Sequence, residues 1–282
     1  MLGAALWAMP GRRRRTAQRN LALCLPELSP ASRRRLVRRS LIETGKAAAE
    51  AGYLLGAGAA PPAALVRRVH GEEAVEAAMA AGRGVIIAAP HLGSWETVGL
   101  YCSSRWPMTS MYRPQRGDVD ALIRAGRERL GARLVPAEGS GVRALYQALS
   151  RGEMVGILPD QNPGRGGGVF APFFGIPANT GILLPRLARR SRAPVFVTWA
   201  RRLPRGRGFE LHFVPAPAEV ADADLGVAAA ALNRAQEAAI RTLPEQYWWA
   251  YPRFRQGPEG KTGWYERRPR TPLPVRTPTS QA

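Results

Sequence analysis

The chain has 282 residues, 45% hydrophobic, with 41 basic against 21 acidic side chains and a formal net charge of +20. That length supports one large core, and a second domain is not required. Two cysteines, Cys24 and Cys102, are too few for a disulfide framework or a cysteine metal site and fit a reducing compartment. The histidines His70, His91 and His212 stand apart in sequence with no ligand spacing, so no metal is expected. Apart from Lys46 and Lys261 the basic residues are arginines, and such a surface seeks anions: an anionic lipid surface, an acidic protein or nucleic acid. No aromatic-interleaved face or nucleic-acid motif accompanies it, which argues against nucleic acid.

Taken in chain order, Met1–Met9 is apolar with Trp7 inside it, and Arg12–Arg15 follow at once. The stretch is shorter than the roughly 20 apolar residues that span a bilayer, and its charges lie on the wrong side for a cleavable signal peptide. Residues 1–46 carry eleven basic side chains against Glu27 and Glu43, so residues 1–60 read as a helical, membrane-proximal region on the positive-inside face. Ser29-Pro30 caps a helix running to about Leu55, and the Gly-, Ala- and Pro-rich stretch 56–62 reads as a linker. A helix over 72–81 leads into the apolar run Gly84–Ala89. Helices over 94–104, 118–131 and 141–150 then alternate with strands at 108–112, 133–135 and 154–158. A loop rich in glycine (164–168) precedes a helix over 179–191, strands near 194–200 and 208–214, and a helix over 224–242. This alternation predicts an α/β fold, a central mostly parallel sheet flanked by helices, occupying residues 61–256. From Gly257 the Pro-, Arg- and Thr-rich composition predicts a disordered tail, 257–282.

His91 and Glu96 carry the chemistry of this pattern. The strand before Pro90 delivers His91 at its C-terminal end, where open α/β sheets place their sites, and a helix from Gly93 or Ser94 puts Glu96 in its first turn. A carboxylate on one ring nitrogen fixes the tautomer and leaves the other free as a general base. No G-x-S-x-G elbow supplies a serine nucleophile, so the pair is expected to activate a substrate hydroxyl.

The His-x4-Glu spacing resembles the His-x4-Asp/Glu box of glycerolipid and lipid A acyltransferases. Met111-Tyr112-Arg113-Pro114 is similar to a Y-R-P block of the lipid A branch, and Leu158-Pro159-Asp160-Gln161 to its D-Q block. Phe173-Phe174-Gly175 through Thr180 is similar to its F-F-G-x-x-A-x-T block. Leu232-Asn233, Pro244-Glu245-Gln246-Tyr247-Trp248-Trp249 and Arg253-Phe254 resemble its C-terminal signature, and Arg19-Asn20-Leu21 with Pro26-Glu27 its N-terminal one. In order and spacing, from about residue 12 to 258, the chain resembles the late lauroyl/myristoyl acyltransferases of lipid A biosynthesis, within the lysophospholipid acyltransferase-like superfamily. Members usually carry a longer apolar N-terminal helix, so this chain is expected to begin partway through one.

The resemblance implies transfer of a fatty acyl chain from acyl carrier protein to a hydroxyl of a lipid A precursor, at the cytoplasmic face of the inner membrane. No cofactor of the enzyme's own is then expected, because phosphopantetheine arrives on the carrier. His91 is the expected general base and Glu96 the group orienting it. Arg113 is expected to grip a phosphate of the acceptor, a task suited to a guanidinium fork, with Arg116 and Arg127 as weaker candidates. Asp160 either caps its turn or holds an arginine or an acceptor amide. Phe173, Phe174 and Gly175 wall the acyl slot or simply pack, and Gln161 and Thr180 join the substrate-binding set through their motif blocks. Tyr247, Trp248, Trp249 and Tyr251 read as packing first and membrane-interface contact second. The alternative activity is acylation of another glycolipid, an aminolipid or a lysophospholipid.

Overall fold

A computed structural model describes residues 11–56, 58–115, 117–164 and 166–266 of the protein. Met1–Met9, Arg116 and residues 267–282 of the expected tail lie outside them. Two helices, α1 (Arg12–Cys24) and α2 (Pro30–Leu54), open the fold. Ser29 caps α2 as its sequence predicts, its hydroxyl accepting from the Ser32 N–H at 3.2 Å with Pro30 in the first helical position. A short helix α3 (Pro62–Leu65) leads to β1 (Val66–His70), α4 (Glu72–Ala80) and β2 (Val85–Ala88). Next come α5 (Trp95–Arg105), β3 (Met108–Tyr112), α6 (Asp118–Glu128), β4 (Arg133–Pro136), α7 (Gly139–Ser150) and β5 (Met154–Ile157). A hairpin of β6 (Gly168–Phe173) and β7 (Ile176–Gly181) precedes α8 (Leu183–Ser191), β8 (Val195–Arg202), β9 (Phe209–Pro215) and α9 (Leu225–Thr242).

The central sheet has seven strands in the order β1-β9-β8-β2-β5-β3-β4, parallel at every pairing except β8–β9. The α/β architecture predicted from the sequence is therefore the one observed. β2 is central and buried along its whole length, and its pleat serves both faces of the sheet. Ile86 and Ala88 enter a cluster with Leu21, Leu41, Leu145, Leu187 and Leu232, whereas Val85 and Ile87 meet Val75, Val98 and Tyr101 on the other side.

Three expectations change. The helix expected over 179–191 begins only at Leu183, because residues 176–181 alternate buried and less buried side chains and pair with 168–173. Phe174 (φ 49°) and Gly175 (φ 70°) form the two-residue turn of that hairpin, both with positive φ. Val66–His70, assigned to no element from sequence, is the edge strand β1. The tail does not begin at 257, since β10 (Gln256–Gly257) and β11 (Gly260–Lys261) pair and the Tyr265 hydroxyl donates to Asn20.

That last contact also revises the N-terminal boundary. Asn20 donates to the carbonyls of Trp249 and Tyr251, both at 2.7 Å, and Ala17, Leu21, Val37 and Leu41 lie in the main core. Residues 12–54 are thus built into the α/β body. No helix among the described residues is long and apolar enough to cross a membrane.

Candidate active site

Strand register explains how the site assembles. β2 and β5 run parallel with Ala88 opposite Ile157. The third residue beyond each strand end is His91 on one chain segment and Asp160 on the other, so the two arrive side by side. Asp160 Oδ2 accepts from the His91 main-chain N–H at 2.9 Å, and Oδ1 lies 2.8 Å from Nδ1. Both residues are buried, His91 at 8% exposure and Asp160 at 3%. Burial alone would raise the Asp160 carboxyl, but the charge and hydrogen bonds of His91, with Arg253 behind, hold it below its ordinary value. Burial, followed by the charge of the Asp160 carboxylate, pushes the Tyr247 phenol well up.

With Nδ1–H donated to Asp160, Nε2 carries the free lone pair. The Gln161 amide nitrogen sits 3.2 Å from it and donates. Two indoles flank the ring, Trp95 at 4.9 Å and Trp248 at 5.1 Å between centroids, and the pair stack on each other. Trp248 is fixed there by its own N–H, which donates to the His91 carbonyl at 3.0 Å. Gly93 lets the following turn close: at φ 66° it lies so near β8 that a Cβ would fall 1.9 Å from the Ala200 carbonyl oxygen.

Glu96 does reach the first turn of α5, but it does not hold His91. Its carboxylate accepts from Arg127 Nε at 2.9 Å and Nη2 at 2.6 Å, and from Trp95 Nε1 at 3.1 Å. The carboxylate in contact with the His91 ring is Asp160 rather than the expected Glu96, because strand register brings Asp160 to Nδ1 while the α5 turn aims Glu96 at α6. Burial lowers the tendency of Arg127 to stay charged, and the Glu96 bonds more than offset it. This bidentate pair lines a cavity whose other walls include Ile87, Val98, Met108, Met111, Leu134 and Ile157. Trp95 stands both in that lining and against the His91 ring. Gly156 leaves the cavity open, because a Cβ there would meet Met108 Cε at 2.4 Å and Ser110 Oγ at 2.8 Å.

The other expected binding residues separate into groups. Gln161 and Asp160 meet His91, and Arg127 meets Glu96. Arg113 lies exposed just past β3, and Arg116 lies outside the described residues. Phe174 and Gly175 do not wall the cavity. They turn the β6–β7 hairpin, with Phe174 packed on Phe173 and Trp249 beneath the Arg241 guanidinium. Thr180 is fully buried and its hydroxyl is occupied by Asn233, Arg253 and the Ala178 carbonyl, so it braces the hairpin. Trp95 and Trp248 were missed as site residues. The signal for Trp95 was its place inside the His-x4-Glu box.

The chain is similar to known proteins over most of its length. The chain is 31% identical over 255 residues to the lipid A biosynthesis lauroyltransferase of Escherichia coli strain K12, covering 88% of this chain and 81% of that protein. It is 30% identical over 271 residues to the palmitoleoyltransferase of the same organism (94% and 86% covered), and 27% identical over 267 residues to its myristoyltransferase (92% and 80%). Residues 1–256 match the profile described as bacterial lipid A biosynthesis acyltransferase, and the chain belongs to that family.

Proposed function

We propose that this protein moves a fatty acyl chain from acyl carrier protein to a hydroxyl of a lipid A precursor, with His91 as general base held by Asp160. The observation that carries this reading is the buried His91–Asp160 contact at 2.8 Å, with the opposite ring nitrogen facing Gln161. The acceptor hydroxyl gives its proton to Nε2 as its oxygen attacks the thioester carbonyl. The resulting oxyanion collapses, the C–S bond breaks, and the departing thiolate takes the proton back from the imidazolium. Asp160 stabilises the imidazolium in between, as a buried carboxylate can. Both substrates bind together, so no acyl-enzyme is formed and proximity supplies much of the rate. The Gln161 amide stands 3.2 Å from Nε2, where the acceptor hydroxyl has to bind, so it gives up that contact to the hydroxyl and becomes a donor for the oxyanion.

The apolar cavity beside Trp95 takes the acyl chain, with the Glu96–Arg127 pair at its polar part. The +20 charge favours both an acidic carrier and a phosphorylated acceptor in the cytoplasmic leaflet of the inner membrane, and exposed Arg113 is the acceptor-phosphate candidate nearest the end of β3. The test uses the purified full chain with an acyl carrier thioester and either an under-acylated lipid A precursor or a lysophospholipid, with products read by mass spectrometry. One acyl group added to the lipid A precursor is expected, falling on the order of 10²–10⁴-fold in His91→Ala. Transfer to the lysophospholipid alone would reassign the acceptor, and no transfer by a folded protein would end this reading.

A further inference from the structure

Two histidines that stand far apart in sequence are neighbours in the sheet. β1 pairs in parallel with β9 so that His70 lies opposite His212, and the antiparallel β8–β9 pair sets Trp199 opposite the same residue. Strand spacing of about 4.8 Å then stacks three rings on one face. Trp199 and His212 lie 4.8 Å apart at 7°, and His212 and His70 lie 4.5 Å apart at 11°. Glu210, two residues before His212, projects from that face as well. One donor atom from each of His70, Glu210 and His212 lies within 4.8 Å of the other two, and all three residues are half-buried.

The two imidazole planes are nearly parallel, and one nitrogen of each lies within 4.8 Å of the other and of a Glu210 oxygen. Tetrahedral bonds of about 2.0–2.1 Å to zinc need donors roughly 3.4 Å apart. Side-chain rotation on a half-exposed strand surface can close that gap without moving backbone. We propose that His70, Glu210 and His212 form a binding site for a divalent transition-metal ion of the Zn²⁺, Ni²⁺ or Cu²⁺ class, leaving a coordination position for water. Two imidazoles suit those ions rather than Mg²⁺ or Ca²⁺, which take oxygen ligands. Arg201 competes for Glu210, across an exposed ion pair of 3.5 Å. A bound ion would fasten β1, the edge strand, to its one neighbour in the sheet.

The test titrates Zn²⁺ into untagged full-length protein against a chromophoric chelator at neutral pH. One ion per chain is expected, with a dissociation constant of about 10 µM or tighter. His70→Asn and His212→Asn should each weaken binding by at least about tenfold. Arg201→Gln should tighten it roughly threefold to tenfold, by freeing Glu210 and removing a nearby positive charge. That gain separates a built site from casual capture by a surface imidazole. Natively folded protein that binds no Zn²⁺ at about 100 µM, or that binds it equally well in both histidine variants, would overturn the proposal. An Arg201→Gln variant with unchanged affinity would remove Glu210 from the ligand set and so overturn the site as assigned.

Discussion

Replacing Asp160 with asparagine decides which carboxylate governs His91. Asp160 makes two contacts to that residue, 2.9 Å to its N–H and 2.8 Å to Nδ1, at 3% exposure. The main-chain bond is the same before and during proton transfer, so it contributes to folding rather than to rate. The Nδ1 bond strengthens as the imidazolium forms, and in a buried site a charge-assisted bond of this kind is worth about 1.5–3 kcal/mol. Asparagine also offers an N–H to Nδ1, which moves the ring proton to Nε2 and removes the base. The two effects sum to about 3–5 kcal/mol, or a fall in kcat of roughly 10²–10⁴-fold at 1.36 kcal/mol per decade. Kinetics with acyl carrier thioester and lipid A precursor would measure it, and proton NMR of the hydrogen-bonded Nδ1–H gives a readout that a merely structural role would not move. Glu96→Gln should keep that resonance and alter donor KM more than kcat, because its carboxylate serves Arg127. If Asp160→Asn kept more than a tenth of wild-type kcat while Glu96→Gln abolished both turnover and the resonance, the assignment of roles would be reversed.

Acid stability should follow the same carboxylate. The Asp160 pKa is depressed in the folded state, so its stabilisation is complete above the unfolded value of about 3.9 and disappears as pH falls through the folded one. Denaturant melts from pH 6 to 3 should therefore steepen below about pH 4 in the wild type and flatten in Asp160→Asn; parallel curves would contradict this. Gly156→Val should fill the cavity against Met108 and Ser110 and lower transfer of long acyl donors more than short ones, as a donor-length series would show; uniform loss across lengths would place the chain elsewhere. Gly93→Ala forces a Cβ to 1.9 Å from the Ala200 carbonyl oxygen at φ 66° and should cost more than about 3 kcal/mol in thermal unfolding; a near wild-type melting temperature would mean the turn relaxes freely.

Much of the fold was legible because period and punctuation carry it. Gly84–Ala89 reads as a buried strand from its continuous aliphatic run, and Pro90 marks its end. The β6–β7 hairpin was hidden because its turn is Phe174-Gly175 rather than Asn-Gly, and its strands contain Pro172 and Pro177. At the site, His91 was legible from local sequence, whereas its partner was not. Glu96 is five residues away and Asp160 sixty-nine, yet the Ala88–Ile157 register brings the distant one to Nδ1. Sequence spacing measures reach along one segment only, and a parallel sheet joins segments through register. His70 and His212 escaped notice as a pair for the same reason.

Register also explains why the N-terminal helices belong to the catalytic body. Arg202 ends β8 at 8% side-chain exposure, and its guanidinium meets Glu50 and Glu43 on α2, the latter at 2.8 Å. Its main chain exchanges hydrogen bonds with the Gln246 side chain at 2.9 and 3.0 Å, and the Gln246 carbonyl accepts from the Gly93 N–H at 3.0 Å. A strut thus runs from α2 through Arg202 and Gln246 to the turn that carries His91. Removing the guanidinium leaves Glu50 without its cation and Glu43 with Lys46 alone, which costs about 3–5 kcal/mol. For a chain of this size Arg202→Met should then melt roughly 6–15 °C lower. Adding Glu50→Gln should recover part of the loss, since the strain lies in the unpaired charge rather than the lost packing. A single variant melting within about 2 °C of wild type, or a double variant no better than the single, would show that α2 is held by its apolar face alone and that the ion cluster is incidental to the site.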